Sequence, residues 1–155
     1  MPENFDRDLL ILLHDVARTM RTRFDQRARA SSAMTRAQWV ILSRLDRQPG
    51  MSQNELAALC EVEPITVARL VDRLEARGMV ERRGDPTDRR VRRLHLLPAA
   101  RPVLETISHS KDAMSELVTA GLDEKTRETL IDALLVIKEN LANEPADPAL
   151  AAAGA

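Results

Sequence analysis

Aromatic residues are scarce in this chain. Only three of the 155 residues are aromatic, Phe5, Phe24 and Trp39, and tyrosine is absent. Proteins that read single-stranded RNA stack its bases on several aromatic side chains. Three rings are too few for such a platform, so the sequence excludes that class of protein.

Cysteine and long apolar runs are also nearly missing. The single cysteine, Cys60, cannot form an internal disulfide. The longest apolar runs, such as Leu9 to Leu13, cover about five residues, whereas a membrane span requires about 18. No basic region leads into an apolar stretch at the N-terminus, so we expect no export signal. These absences predict a cytoplasmic protein without a membrane partner.

Charge is distributed unevenly along the chain. The net charge is −1, yet residues 64–93 hold nine arginines, no lysine and five acidic residues, which gives this window +4 and the remainder −5. Arginine suits phosphates and guanine edges because its donors form a planar fork. A local basic patch therefore indicates a site for a polyanion. The alternative is a solvated surface of ordinary ion pairs.

The first part of the chain reads as helices. A helix from Phe5 to about Arg29 carries an apolar stripe, and Leu10, Ile11 and Leu12 widen it. This width favours burial against a second subunit, although a partner within the chain is also possible. Thr35 is placed to cap a second helix that stops at Pro49 and Gly50.

Two short helices and a hairpin follow. Ser52 and Glu55 form a capping-box pattern for a third helix that ends near Cys60, and Pro64 takes the first position of a fourth helix that stops at Gly78. From Met79 to Leu97, two strand-like segments flank a turn-rich loop, which predicts a β-hairpin with a basic tip.

Helices resume after the hairpin. A fifth helix begins at Pro98 and Pro102 and runs to about Ala120, and a sixth spans Leu122 to about Leu141. The predicted fold is mainly α with a small β-hairpin, in the order four helices, two strands and two helices. We expect a single winged-helix domain over residues 1–155, with a DNA-binding winged helix-turn-helix lobe at 35–98, dimerisation helices at 5–30 and 99–143, and a frayed tail at 144–155.

The winged helix-turn-helix geometry predicts how DNA would be bound. If the fourth helix buries its apolar face, the opposite face presents small residues at its leading end, followed by Arg69 and Arg73 four residues apart. Such a helix fits the major groove. The start of the third helix offers backbone N–H groups to a phosphate, and the hairpin tip offers Arg89 and Arg90 to the minor groove.

Three segments carry a family resemblance. They are residues 35–42, residues 62–78, and the stretch Asp88-Arg-Arg-Val-Arg-Arg-Leu-His-Leu96. With them the chain resembles the MarR family of bacterial transcription factors, and it looks closest to the SlyA branch. One departure is that Leu97-Pro98 replaces the threonine that usually follows the Leu-x-Leu pattern.

The resemblance implies a homodimer, held by the first, fifth and sixth helices, on a pseudo-palindromic double-stranded DNA operator. It implies that Asp88 and Arg90 brace the wing and that Asp72 pairs with Arg90. Together with the basic window, the predicted DNA contacts are Ser52, Gln53, Pro64, Ile65, Thr66, Arg69, Arg73, Arg83, Asp88, Arg89, Arg90 and Arg92.

The resemblance also implies an effector, a small aromatic carboxylate or an acyl conjugate of one, whose binding releases a repressor from DNA. The matching positions are Arg18, Arg21, Thr35, Gln38 and Trp39. Arg18 and Arg21 lie three apart, as a carboxylate clamp needs. Asp15 and Asp25 are spaced to make both arginines ordinary surface pairs instead.

Other functions have less support in the sequence. Cys60 suggests a redox-responsive regulator, although buried thiols are mostly inert packing groups. A winged-helix module that binds protein would need apolar or acidic residues where Arg69 and Arg73 stand. The three histidines have no metal-ligand or triad spacing, so we expect no metal, no cofactor and no enzyme.

Overall fold

The computed structural model describes residues 7–60 and 62–143. Within them it contains six helices and a three-stranded sheet. The helices are α1 (Leu9–Ser32), α2 (Arg36–Arg47), α3 (Gln53–Cys60), α4 (Pro64–Ala76), α5 (Arg101–Thr119) and α6 (Glu124–Ala142), and the strands are β1 (Met51–Ser52), β2 (Val80–Gly84) and β3 (Arg92–Leu96). The mainly helical winged fold predicted from the sequence is confirmed.

The predicted helix caps explain where the central helices begin and end. At α2, Thr35 Oγ1 accepts from the Gln38 N–H at 3.3 Å, and the Thr35 N–H donates to Gln38 Oε1 at 2.9 Å. At α3, Ser52 and Glu55 form the same reciprocal pair, with N···O distances of 2.6 and 3.2 Å. Gly78, with φ of +66°, lies just beyond α4 in the left-handed region that glycine adopts without strain.

Several helix boundaries differ from the prediction. Helix α1 begins at Leu9, because the Asp8 side chain accepts from the Leu10 and Ile11 N–H groups, and it continues to Ser32. Residues 98–100 form a 3₁₀ turn before α5, and Asp123 caps α6 so that it begins at Glu124. Phe5 and the tail predicted to fray, residues 144–155, lie outside the described residues.

The sheet contains one strand more than predicted. Its order is β1-β3-β2, and all pairs are antiparallel. The β2–β3 hairpin is the predicted wing, with Arg82 opposite Leu94. Strand β1 pairs Met51 with Leu94 and was missed because a two-residue strand has no periodicity of its own.

Helices α2, α3 and α4 and the sheet enclose one apolar core. Its fully buried side chains include Leu42, Leu45, Leu56, Val67, Val71, Leu74, Val80 and Leu94. In α4 the three buried residues Val67, Val71 and Leu74 lie on one face, as the spacing predicts. The opposite face of α4 is therefore held outward beside the hairpin.

The chain divides into two compact units, residues 1–113 and 114–155. The first contains all elements from α1 to β3 and the beginning of α5. In the part of the chain that the structure describes, no helix has the length and apolar content needed to cross a membrane.

Candidate functional site

The nine arginines of the basic window fall into two groups. Four of them make hydrogen bonds or ion pairs within the protein: Arg77, Arg82, Arg83 and Arg93. The other five are exposed, and none forms an ion pair or a side-chain hydrogen bond with a described residue; they are Arg69, Arg73, Arg89, Arg90 and Arg92. These five cations are available to an external polyanion.

Helix α4 presents the predicted residues outward. Pro64, Ile65 and Thr66 at its N-terminal end are exposed, and so are Arg69 and Arg73 further along the helix. The first turn carries no acidic residue, and Glu63, at the cap position, makes no side-chain capping bond. A narrow, exposed leading end followed by two arginines on one side matches the shape that a major groove admits.

Asp85 organises the loop at the tip of the wing. Its Oδ1 accepts from the Thr87 N–H at 2.7 Å and from the Asp88 N–H at 3.0 Å, while its Oδ2 accepts from Arg93 Nε at 2.7 Å. The hydrogen bonds from Thr87 and Arg93 hold the pKa of the Asp85 carboxyl well below its usual range. The predicted bracing residue Asp88 has a smaller role, accepting from the Arg90 N–H at 2.9 Å.

The sequence prediction overlooked Asp85, although a local signal was present. An aspartate followed two residues later by threonine in a proline-containing loop is a pattern typical of an Asx turn. The turn fixes the backbone just before Arg89 and Arg90 and leaves both of their side chains exposed.

Asp72 does not pair with Arg90 as the resemblance implied. It accepts a hydrogen bond from Arg82 Nη2 at 2.6 Å instead. The same guanidinium also donates to Glu75, to the Ala68 carbonyl, and to Gln53 Oε1 at 2.9 Å. Arg82 lies on β2 beside α4, whereas Arg90 lies in the loop beyond the strands, so Arg82 is the nearer partner. Arg82 thus joins α3, α4 and the wing.

A cleft of about 250 Å³ brings the start of α3 to the wing. Its walls are Ser52, Gln53, Asn54, Arg90, Val91 and Arg92. Four of these residues, Ser52, Gln53, Arg90 and Arg92, were predicted as DNA contacts from separate parts of the sequence. Polar groups at the start of α3 and two guanidinium groups that pair with no described residue thus face one space, as a site for a backbone phosphate requires.

Comparison with known proteins identifies the family. A sequence model described as "MarR family" matches residues 34–91. The crystal structure of transcriptional regulator PA3341 is 33% identical, with a TM-score of 0.75 over 86% of this chain and 97% of that one. The chain belongs to the MarR family. It is therefore a DNA-binding transcriptional regulator.

Two further relatives agree with this assignment. The crystal structure of the regulator SlyA is 26% identical, with a TM-score of 0.75 over 86% of this chain and 94% of that one. The uncharacterised HTH-type regulator YdgJ of Bacillus subtilis is 25% identical over 88% of this chain and 80% of its own. Because such relatives are regulators, the expectation that this MarR-family chain is not an enzyme is confirmed. The closer likeness to the SlyA branch stays a prediction.

The MarR-family lobe also carries a pocket of about 490 Å³ between α1, α2 and α5. Its apolar wall consists of Ala17, Met20, Phe24, Trp39, Val40 and Ile107. The Trp39 side chain is 3% exposed, and its Nε1 donates to Ser32 Oγ at 2.9 Å. Such a concave, mostly apolar space is typical of small-molecule sites.

Only two of the five predicted effector residues, Arg21 and Trp39, line this pocket. Arg18 forms an ion pair with Asp15 at 3.4 Å on the surface of α1, which is the alternative that the sequence left open for this residue. Thr35 and Gln38 bond each other in the cap of α2. Arg21 and Asp25 form no ion pair in the structure, and Asp25 Oδ1 instead accepts from the Arg36 N–H at 3.2 Å.

The pocket contains four cations that the sequence did not assign to an effector site. They are Arg36, Arg44, Arg47 and Lys111. Arg36, Val40, Ser43 and Arg47 lie three or four residues apart on α2 and share one face, which is visible in the sequence. No sequence pattern around Lys111 indicates that α5 would place this residue beside that face of α2.

Cys60 shows no sign of activation as a redox sensor. It is partly buried at the end of α3, and burial raises the pKa of its thiol in spite of the charges of Arg44 and Arg36. A raised thiol pKa disfavours the reactive thiolate. Among the described residues, no group of three or more His, Cys, Asp or Glu side chains is placed to hold a metal ion.

Proposed function

We propose that this MarR-family regulator is a homodimeric repressor that binds a pseudo-palindromic operator and is released by a small aromatic anion. The observation that carries the DNA-binding mode is the set of five exposed arginines that have no side-chain partner among residues 7–60 and 62–143, divided between α4 and the wing. Arginines that only stabilised the fold would be paired, as Arg82 and Arg93 are.

The two arginine groups contact different grooves in this proposal. Helix α4 enters the major groove with Pro64, Ile65 and Thr66 leading, and Arg69 and Arg73 reach guanine edges or phosphates. Arg89 and Arg90 at the wing tip enter the minor groove, where narrow A·T stretches attract arginine. The cleft lined by Ser52, Gln53, Arg90 and Arg92 holds a phosphate between the two. The remaining predicted contacts are also on the wing, with Arg83 on β2 and Asp88 in the loop between β2 and β3.

Exposed apolar residues support the dimer. On α1, Leu9, Leu10 and Val16 are each more than half exposed. Helix α6 has no buried residue, and its Leu130, Ile131, Leu134, Leu135, Val136 and Leu141 are exposed. Large apolar surfaces of this kind are rarely left in water and mark protein interfaces. A second copy of the chain is the partner that the resemblance implies.

The pocket between α1, α2 and α5 supports the effector. An aromatic ring placed beside Trp39 would have its carboxylate toward Arg21. A charge-assisted hydrogen bond of this kind contributes about 1.5–3 kcal/mol to binding. A ligand that displaces the operator must itself bind the DNA complex more weakly by the same factor.

The test is a footprint on the promoter beside this protein's own gene, with and without a panel of benzoate-like anions. We expect protection of an inverted repeat whose half-sites lie about 10 base pairs apart. We expect one or more of the anions to remove the protection and to change the emission of Trp39, the only tryptophan. If no inverted repeat is protected, the proposed operator binding is wrong. If the anions change neither the protection nor the Trp39 emission, the proposed effector response is wrong.

A further inference from the structure

The pocket between α1, α2 and α5 has an excess of positive charge. Besides its apolar wall it is lined by five cations, Arg21, Arg36, Arg44, Arg47 and Lys111. None of the described residues that line it is acidic. A site built for one carboxylate needs one guanidinium, so this number of cations points to a more highly charged ligand.

These cations are not balanced by neighbours within the described residues. None of the five takes part in an ion pair there, whereas Arg18 and Arg101, which lie outside the pocket, do. Asp46 lies between Arg44 and Arg47 in the sequence, but it pairs with Arg101 at 3.6 Å. The positive charge therefore remains in the pocket, where like charges repel one another until an anion binds.

Arg36 adds an observation of a different kind. Its Nε atom is buried and has no hydrogen-bond partner among the described residues. Buried donors nearly always have an acceptor, and one without a partner needs an explanation. Among the described residues, no hydrogen bond fixes the Arg36 side chain, so it can turn toward an anion in the pocket.

The cations are arranged around an apolar centre. Along α2, Arg36 stands at one end of the pocket-lining face, Trp39 and Val40 in the middle, and Arg44 and Arg47 at the other end. Arg36 is partly buried, the other four cations are exposed, and Trp39 is buried. The apolar part of a ligand would therefore lie deep, and its charged part would lie at the rim.

We propose that the ligand of this pocket combines an apolar body with a head group that carries at least two negative charges, such as a phosphate ester. The inference rests on the proposed effector function and specifies the chemical class of the effector. A phosphate head offers three acceptor oxygens and a charge near −2, which suits Arg44 and Arg47 together at one end of the pocket.

A matched pair of probes tests the charge of the head group. Phenylacetate and benzyl phosphate share a benzyl body and carry one and about two charges at pH 8. With Trp39 emission as the readout, we expect benzyl phosphate to bind roughly ten-fold more tightly or better, and with a steeper salt dependence. At pH 5 the phosphate is mostly a monoanion, so this advantage should largely disappear.

Two variants test whether the tighter binding of benzyl phosphate depends on this pocket. Arg47→Gln should reduce the advantage of benzyl phosphate several-fold, whereas Arg18→Gln, outside the pocket, should leave it unchanged. If benzyl phosphate binds no more tightly than phenylacetate, or does not bind, the inference is overturned. If phenylacetate then still removes the protein from its operator, the effector function stands and only the charge class is wrong.

Discussion

The Asp85 carboxylate in the wing loop accepts a hydrogen bond from the Arg93 guanidinium on β3, with Oδ2 and Nε 2.7 Å apart. Arg93 also donates to Glu55 Oε2 on α3 at 3.0 Å. The Asp85 side chain is only 8% exposed, although the loop around it is on the surface. One arginine thus connects the tip of the wing with the first helix of the helix-turn-helix.

Replacing Asp85 should give a pH-dependent loss of stability. The pKa of Asp85 is lowered in the folded state, so its stabilising effect is present above the unfolded pKa, about 3.9, and is lost as pH falls further. We expect the difference in unfolding free energy between wild type and Asp85→Asn to be constant from pH 8 to about 5 and to shrink below about pH 4. Urea unfolding measures it.

Asp112→Asn is the control for this experiment, because Asp112 is exposed and makes no hydrogen bond or ion pair with another described residue. Its unfolding free energy should follow that of the wild type at every pH. A difference for Asp85→Asn that grows on acidification would contradict the lowered pKa.

Arg82→Lys should weaken operator binding without removing a DNA contact. Lysine keeps the charge but cannot bond Gln53, Ala68, Asp72 and Glu75 at once, as Arg82 does. We expect a loss of roughly 1–3 kcal/mol in binding free energy. The slope of log affinity against log salt should stay the same, since no phosphate contact is lost.

Arg101→Lys is the matched control, because Arg101 is exposed, is not among the predicted DNA contacts, and pairs only with Asp46 among the described residues. It should bind the operator nearly as wild type does. A changed salt slope in Arg82→Lys would instead indicate that Arg82 touches DNA.

Removing arginines from α4 and from the wing should have different effects. Arg69→Ala should cost roughly 1–3 kcal/mol and relax discrimination at a few base pairs if Arg69 reads a base. Arg90→Ala should weaken operators in proportion to their A·T-rich flanks. Titrations against operator variants at fixed salt measure both, and neither variant should lower the melting temperature much.

Arg18→Ala serves as the control, since Arg18 lies on α1 away from both elements and pairs with Asp15. Full retention of affinity by both Arg69→Ala and Arg90→Ala would rule out the proposed winged-helix contacts.

A charge on α6 should separate the dimer. Leu135 is 57% exposed, so Leu135→Asp removes little packing within the chain but places a carboxylate on the surface proposed to be covered by a second copy. We expect sedimentation at micromolar concentration to show a shift from dimer to monomer, and operator affinity to fall with it. The control is Thr129→Asp, which adds the same charge to α6 at a position that is already polar.

The Thr129→Asp variant should remain a dimer. A wild-type protein that sediments as a monomer and still binds its operator would disprove the proposed assembly directly.

The sequence predicted those features that depend on neighbouring residues. The caps at Thr35 and Ser52 and the outward face of α4 follow from spacings of three and four residues, and all were confirmed. Arg82 was not predicted, because its partner Gln53 lies 29 residues away in the sequence. Lys111 was missed for the same reason, since only packing places α5 beside α2.

Ser32 is a point where two parts of the protein meet. Its hydroxyl accepts the Trp39 indole N–H at 2.9 Å, and its carbonyl accepts from Arg77 Nη2 at 3.1 Å, just beyond the end of α4. The wall of the pocket and the end of α4, the helix proposed to read DNA, thus make hydrogen bonds to the same residue. Since coupling between two sites is reciprocal, we expect operator DNA alone to alter the environment of the indole, so that Trp39 emission reports whether DNA is bound at α4 and the wing.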